Sequence, residues 1–212
     1  MIRAFLDGRG VPCPSVEGEP PLLAVSRQVQ EDLCLLQRDA AGWRLTAASL
    51  CFPSAWSLRE KFGLPMAAIH AEVPGFPGRM REVVARIFDN LKVEQPVARL
   101  NWSIYGDDRL RHSETHSPSD QRFPPDIPVG QRAVIRVERQ SLRRLPITDA
   151  ILFTIRVHLS PMRALEGHPR GRALAGSLRA QLLALTPEQL DYKGLSDVRE
   201  RLAEALAGMA AR

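Results

Sequence analysis

The most informative single residue is His70, which stands in the apolar stretch AAIHAEVPGFPG at residues 67–78. An imidazole in such a stretch can be the axial ligand of a haem iron, because one protein ligand is enough to hold haem. It can equally be a buried histidine whose ring nitrogen bonds a backbone carbonyl. A lone histidine does not make a site for a bare metal ion. Both interpretations of His70 stay open at this point.

A second set of polar residues fills the stretch RVERQSLRRLP at residues 136–146. Side chains of a strand alternate between its two faces, so one face would carry Arg136, Glu138 and Gln140. The opposite face would carry Arg139. Glu138 stands between two arginines and is expected to stay ionised as a partner for either. A cross-strand ladder of salt bridges explains the same pattern without any ligand.

The arginines of this stretch could also bind an anionic group. A guanidinium group binds a carboxylate through two parallel hydrogen bonds, which suits the propionate groups of a haem. The residues that could do this are Arg139, Arg143 and Arg144. The pattern alone does not decide between this role and the salt-bridge ladder.

Two shorter motifs carry less information. In NWS, at residues 101–103, Asn101 would face away from Trp102 and could donate hydrogen bonds into a pocket. Trp102 itself is expected in the core. In HSETH, His112 and His116 are four residues apart, but they lie in a Ser/Pro/Asp-rich loop. Without a helix this spacing does not bring them to one face, so the signal for a metal site there is weak.

The composition limits the class of protein. With 44% apolar and 25% charged residues over 212 positions, the chain is typical of a globular protein built around one substantial domain. No apolar run predicts a membrane span, and the N-terminus lacks the apolar core of a signal peptide. Three widely spaced cysteines predict reduced thiols rather than a disulfide framework. We therefore expect a cytoplasmic protein.

The charge is basic, but its pattern does not favour nucleic acid as a partner. The net charge is +5, and all but three of the 29 basic residues are arginines scattered along the chain. Arginines in this pattern fit pairing with carboxylate, propionate or phosphate groups equally well. The chain contains no GxSxG motif, no phosphate-binding glycine loop and no dinucleotide fingerprint. Catalysis by a familiar nucleophile or by a nucleotide held in this chain is therefore not predicted.

The elements that must position these residues follow from the periodicity of the apolar side chains. Residues 1–21 are rich in Pro and Gly and predict an irregular lead-in. A helical spacing of apolar residues then predicts an amphipathic helix from Leu22 to Gln37. Strands are expected over Trp43–Ala47 and Ser49–Phe52.

Three helical segments are predicted after these strands. Ser54 as an N-cap and Gly63 as a C-cap predict a helix between them. A helical turn over Met66–Ala71 would carry His70. A longer helix is predicted from Arg79 to Leu91. Its apolar face would be formed by Val83, Val84, Ile87 and Leu91.

The second half of the chain predicts strands and then helices. Strands are expected over residues 97–105, 133–146 and 150–159, and the short turn between the last two predicts an antiparallel hairpin. Helices are predicted over residues 171–185 and 196–210. The fold class is therefore α+β, with an antiparallel sheet of about five strands, central short helices and C-terminal helices.

The order of these elements matches that of a known type of domain. Two strands, several short helices and three antiparallel strands is the order of a PAS-type domain, in which a ligand lies between the sheet and the central helices. We predict this domain over residues 22–160. Residues 161–212 would form a helical extension packed on the same domain, or against another chain.

Four stretches in this order resemble one family. They are CFPSAWSLREKFGLPMAAIHAEVPGF, RLNWSI, RVERQSLRRLPITDAILFTIRVHLSP and PEQLDYKGL. Together they resemble the haem-binding alpha subunit of haem-dependent oxidative N-demethylases, also called dimethylamine mono-oxygenases. The resemblance extends from about residue 22 to residue 206 and covers most of the chain.

The resemblance implies a PAS-like fold that holds haem b. It implies oxidative demethylation of a small secondary amine with O2, which releases formaldehyde, and electrons that arrive from NADPH through partner subunits with flavin and an iron–sulfur centre. The histidine of the Ile-His-x-x-Val-Pro motif is His70, implied as the proximal ligand of the iron. Arg139 and Arg144 are implied partners of the propionates, and Glu138 and Asn101 are candidates for the pocket or its surroundings.

Two alternatives to an enzyme subunit remain. The lead-in is short, whereas the enzyme subunits of the family carry a longer N-terminal part, so a non-catalytic haem sensor or haem-binding protein of the same fold is the first. The turn at residues 147–149 is also more polar than the small-residue turn of the family. A relative without haem, in which His70 belongs to the core, is the second.

Overall fold

Five strands form the sheet of this protein. They are β1 (Asp32–Asp39), β2 (Gly42–Ser49), β3 (Val97–Tyr105), β4 (Val134–Arg144) and β5 (Ile151–Pro161). The computed structural model describes residues 2–14, 16–112 and 123–211, and within them the strands form one antiparallel sheet in the order β2-β1-β5-β4-β3. The predicted α+β class and number of strands are confirmed.

The helices are short before β3 and include longer ones after β5. They are α1 (Ile2–Asp7), α2 (Pro21–Ser26), α3 (Leu58–Lys61), α4 (Met66–Ile69), α5 (Arg81–Asn90), α6 (Val129–Arg132), α7 (Gly171–Leu183), α8 (Pro187–Lys193) and α9 (Arg199–Ala211). Phe76–Met80 forms a π-helical turn, and Met162–Leu165 and Ser196–Val198 form 3-10 turns. In the described part of the chain, no helix has the length and apolar character needed to cross a bilayer.

Strand β1 lies where the sequence predicts a helix. It pairs with β2 on one side and β5 on the other, so that Leu36 is opposite both Leu45 and Ile151. Three of its apolar side chains are at most 3% exposed, namely Leu33, Cys34 and Leu36. The predicted helix from Leu22 to Gln37 is therefore wrong beyond Ser26, where α2 ends. Pairing along both edges of a central strand outweighs a helical spacing of apolar residues.

The chain leaves the sheet after β2, so the strand predicted over Ser49–Phe52 is wrong. The amides of Cys51 and Phe52 donate to the carboxylate of Asp32 at 2.6 and 3.2 Å. These bonds to a buried side chain replace the ladder of a strand. The lead-in also differs from its prediction, because α1 is helical.

Two predicted helices differ from the observed ones in extent or in their buried face. Ala55 has a left-handed backbone with φ of 59°, which a helix does not tolerate, so α3 begins after it at Leu58. In α5 the buried side chain is Phe88, at 5% exposed, whereas Ile87 of the predicted apolar face is 43% exposed. The helical turn predicted around His70 is confirmed as α4.

The chain divides into two compact units. The first comprises residues 1–101 and 138–157, and its core joins β1, β2, β5 and α5. The core consists of Leu36, Trp43, Phe88, Leu91 and Ile151, with Met66, Val84, Leu142 and Phe153 packed against it. Helices α4 and α5 therefore cover one face of this part of the sheet.

The second unit comprises residues 102–137 and 158–212. Its core combines helices α7, α8 and α9 with Ile104 and Met162, both 0% exposed. The predicted C-terminal helices are confirmed as α7 and α9. The intervening α8 was missed, although Thr186 and Gln189 form a capping box at its start and Gly194 ends it with φ of 61°.

Candidate functional site

His70 lies at the carboxyl end of α4, in the first unit. The helix has only four residues, and His70 follows it with φ of −104° and ψ of 14°. Its Nδ1 is 3.0 Å from the carbonyl oxygen of Met66, one turn earlier. A carbonyl oxygen only accepts hydrogen bonds, so Nδ1 carries the proton and Nε2 keeps its lone pair. This tautomer leaves Nε2 available to an electrophile or a metal ion.

The ring of His70 is also held by an aromatic neighbour. Phe76 stacks on it with 4.6 Å between ring centroids and 17° between ring planes. Phe76 is 3% exposed and begins the π-helical turn, directly after Gly75, whose φ of 77° is left-handed. Single π-helical turns are frequent at functional sites. The stack and the bond to Met66 together fix the plane of the imidazole.

The surroundings keep this imidazole neutral. Burial lowers the pKa of His70 below its ordinary value of 6.5. The carbonyl of Met66 acts in the opposite direction, and the positive charges of Arg99 and Lys61 lower the pKa further. At neutral pH His70 is therefore an uncharged base with one occupied and one available nitrogen.

A row of polar side chains lies on the parts of β4 and β3 that belong to the same unit, and its two members on β4 are buried. Glu138 and Gln140 are only 7% and 8% exposed, and their side chains are joined by a 3.0 Å hydrogen bond from Nε2 of Gln140 to Oε2 of Glu138. Arg99 of β3 donates from Nε to Oε1 of Gln140 at 2.7 Å. Buried polar groups are costly unless they are bonded in this way.

The row faces the side of the sheet on which α4 and α5 pack. Residues of even number share one face of β4, and Leu142 of this face packs into the core with Phe88 of α5 and Met66 of α4. Glu138 and Gln140 therefore point to the same side of the sheet as the helix that carries His70. By the same alternation in β3, Asn101 shares a face with Arg99, and it is exposed.

Arg144 has a different environment at the end of β4. Its Nε donates to the carbonyl of Leu91 at 2.6 Å, and its Nη2 donates to the carbonyl of Phe88 at 2.7 Å. Its Nη1 donates to Asp149 at 2.7 Å, and the guanidinium lies 5.5 Å from the centre of the Trp43 ring. Arg144 thus caps the carboxyl end of α5 with Nε and Nη2 and pairs with Asp149 through Nη1, so a bidentate contact with a propionate would require that one of these bonds be released.

Arg139 is exposed and lies on the other face of β4. Its neighbour on that face, Ser141, bonds the hydroxyl of Thr154 at 2.6 Å. The structure thus brings His70, Glu138 and Asn101 to one side of the sheet, with Arg139 on the opposite side.

Sequence reasoning missed three residues of this site, namely Arg99, Lys61 and Phe76. Arg99 could have been found by alternation from Asn101, two residues further along the strand. Phe76 could have been found from Gly75 and Gly78 on either side of the Phe76-Pro77 pair, because glycines mark turns with positive φ, and both have it here. Lys61 gave no sequence signal, since its effect depends on the packing of α3.

The remaining histidine motif does not form a metal site in the described residues. His112 lies in the second unit, stacked on Tyr105 with 4.0 Å between centroids and 3.5 Å from Asp107. His116 lies outside the described residues. Among residues 2–14, 16–112 and 123–211, no three His, Cys, Asp or Glu side chains are grouped so that they could hold a metal ion.

The sequence matches the model of a known protein family. The family described as haem-dependent oxidative N-demethylase, alpha subunit-like matches residues 3–203, nearly the whole chain. Its description indicates dependence on haem and a subunit of an enzyme that has several. The chain belongs to the family of haem-dependent oxidative N-demethylase alpha subunit-like proteins.

Proposed function

We propose that this protein is the haem-binding subunit of an oxidative N-demethylase, with His70 as the proximal ligand of haem b. The observation that carries the proposal is the fixed tautomer of His70, in which the Met66 carbonyl holds the proton on Nδ1 and leaves Nε2 for iron. The family supports haem as the group bound.

The residues around His70 fit a haem. Phe76 supports the imidazole by stacking on it, the partly exposed Met66 offers an apolar contact to a flat porphyrin, and Arg99 and Lys61 supply positive charge near the same imidazole. The bond to Met66 raises the basicity of Nε2, and the stack on Phe76 sets its direction. Once bound, the haem supplies the activation of O2, and the protein orients and encloses it.

A buried carboxylate suits the substrate expected for this family. A small secondary amine is a cation at neutral pH, and Glu138 could accept a hydrogen bond from it. Asn101 would contribute an amide at the exposed end of the same face. We propose that a small secondary amine and O2 are the substrates and formaldehyde a product. Electrons would come from NADPH through partner subunits with flavin and an iron–sulfur centre.

The predicted propionate partners remain part of the proposal. Arg139 and Arg144 keep this role as a prediction. Arg144 would have to exchange one of its contacts at the end of α5 for the propionate, and Arg139 would have to meet it from the opposite face of β4.

The proposed fold and location have separate support. Helices α3, α4 and α5 stand between β2 and β3, which is the element order of a PAS-like domain over residues 22–160, with residues 161–212 as its helical extension. All three cysteines are free, and burial raises the pKa of the Cys34 thiol to about 12, with Asp32 adding to the effect. Free thiols of this kind favour a reducing compartment, which supports the cytoplasm.

The experiment that tests the proposal is an absorption spectrum of the protein purified after haem supplementation. We expect a Soret band in the wild type and its loss or shift in His70→Ala. His158→Ala is the matched control, because His158 is exposed on β5, and it should keep the wild-type spectrum. A colourless wild type would contradict the haem proposal.

A second measurement separates the enzyme from its alternative. The haem-loaded protein is combined with the reductase subunits and NADPH, and formaldehyde is measured with dimethylamine as the substrate. Formaldehyde formation that is lost in His70→Ala supports the demethylase. Stable haem without formaldehyde would favour a haem sensor or carrier of the same fold.

A further inference from the structure

We infer that Arg99 is an anion-binding residue of the His70 site, and that its two terminal nitrogens take a carboxylate. The carboxylate could be a haem propionate or that of a free small acid, since both present the same two oxygens. The haem form of this inference rests on the proposed function, whereas the carboxylate site itself does not.

The orientation of Arg99 is set by two buried side chains. The carboxylate of Glu138 can only accept hydrogen bonds, so Gln140 must direct its amide nitrogen to Glu138 and its amide oxygen to Arg99. That oxygen then accepts from Nε of Arg99 at 2.7 Å. Because Glu138 and Gln140 are each more than nine-tenths buried, they have little freedom to adopt other orientations.

This arrangement leaves the outer edge of the guanidinium open. Arg99 is exposed, and its hydrogen bond to Gln140 uses only Nε, so within the described residues Nη1 and Nη2 are available together. Two parallel donors match the two oxygens of a carboxylate. An arginine whose geometry is set before binding loses less conformational freedom when the ligand arrives.

The charge of Arg99 also lacks an acidic partner within the described part of the chain. Its side chain bonds the neutral amide of Gln140, whereas Arg144 pairs with Asp149 and Arg44 pairs with Asp39 at 2.8 Å. Lys61, the other cation near His70, lies 3.7 Å from Glu72. The site therefore has an uncompensated positive charge that an anion would balance.

The first test is a titration of the haem-free protein with sodium propionate, followed by the backbone amide signals in NMR spectra, with sodium chloride at equal ionic strength as a reference. We expect saturable shifts in β3 and β4 around Arg99 in the wild type. Arg99→Gln should lose them. Arg86→Gln, an exposed arginine of α5, is the matched control and should keep them. Shifts that persist in Arg99→Gln, or that centre on Lys61, would overturn the inference.

The second test separates the two sources of carboxylate. Haem dimethyl ester lacks free propionates, so the wild type should bind it roughly tenfold more weakly than haem, whereas Arg99→Gln should bind both equally. If the wild type bound haem and haem dimethyl ester equally and still showed the NMR shifts with propionate, the site would be assigned to a free small acid. A protein that binds no haem at all would contradict the proposed function, and the propionate titration would still decide the role of Arg99.

Discussion

The surroundings of His70 in the first unit and of His112 in the second share several features. Each histidine stacks on an aromatic ring, with centroids 4.6 and 4.0 Å apart and interplanar angles of 17° and 25°. Burial lowers the pKa of each below its ordinary value of 6.5. Each also has a backbone hydrogen bond, to Met66 and Arg109 respectively.

The two histidines differ at their second nitrogen. Nε2 of His112 is fully buried, makes no hydrogen bond in the described structure and lies 3.5 Å from the carboxylate of Asp107. Nε2 of His70 is not among the fully buried side-chain nitrogens that lack a hydrogen-bond partner in the described residues. Stacking and burial therefore do not make a histidine a ligand. A ligand also needs a bonded first nitrogen and an accessible second one.

The largest expected effect is the loss and rescue of haem at His70. His70→Gly should weaken haem binding more than about 100-fold, because removing a ligand costs more than removing its hydrogen-bond partner. Added imidazole should restore the Soret band by entering the space left by the side chain. His112→Gly should bind haem as the wild type does. An equal loss in both variants would remove the distinction between the two histidines.

The next effect concerns the aromatic neighbour. Phe76→Leu should weaken haem binding roughly two- to tenfold, since an aromatic pair contributes about 0.5–1.5 kcal/mol beyond its buried area. Tyr105→Leu, the equivalent change beside His112, should leave haem affinity unaltered. Haem titrations followed at the Soret band measure both. An unchanged affinity in Phe76→Leu would show that the stack does not orient the ligand.

Protonation of either histidine at acid pH should reduce the stability of the folded protein. Because their folded pKa values lie below 6.5, the unfolded chain binds more protons, and stability is lost as the pH falls from about 6.5 towards the folded values. We expect Tm of the haem-free protein to decrease over this range. His70→Phe and His112→Phe should each reduce the slope of Tm against pH. If neither variant changed the slope of Tm against pH, the loss of stability at acid pH could not be attributed to these two histidines.

The smallest expected effect is a change in the pKa of His112 when the neighbouring negative charge is removed. Asp107 raises the pKa of His112, partly offsetting the effect of burial, so Asp107→Asn should lower that pKa further. The pKa of His70 should stay unchanged, because Asp107 is not among the charges that act on it. NMR titration of the two imidazoles measures both values. A parallel shift of both would show that the two histidines are electrostatically coupled.

Much of the sheet could be predicted from local pattern. The runs that become β3, β4 and β5 have strand periodicity, and the short turn after β4 predicts their hairpin. Strand β1 could not be predicted, because Leu33 and Leu36 have a spacing that also suits a helix. Only their pairing with β2 and β5 excludes the helix, and these partners lie up to about 120 residues away in the chain.

The features of the candidate site also divide into those that could be predicted from sequence and those that could not. His70 could be selected from sequence because a histidine in an apolar stretch next to a turn is unusual. Glu138 and Asn101 could be assigned to faces of strands by alternation. The orientation of the Arg99 guanidinium could not be predicted, since it depends on Gln140, 41 residues later in the chain.

The sequence by itself determined the α+β class, the three later strands, the helical turn that carries His70 and the membership of a haem-dependent family. These follow from local periodicity and from motifs that are contiguous in the chain. The tertiary structure alone decided which nitrogen of His70 is available, that Arg144 caps α5 and that Arg99 is oriented through Gln140 and Glu138. Hydrogen bonds of side chains depend on distance and direction in space, and neither is encoded in the spacing of residues along the chain.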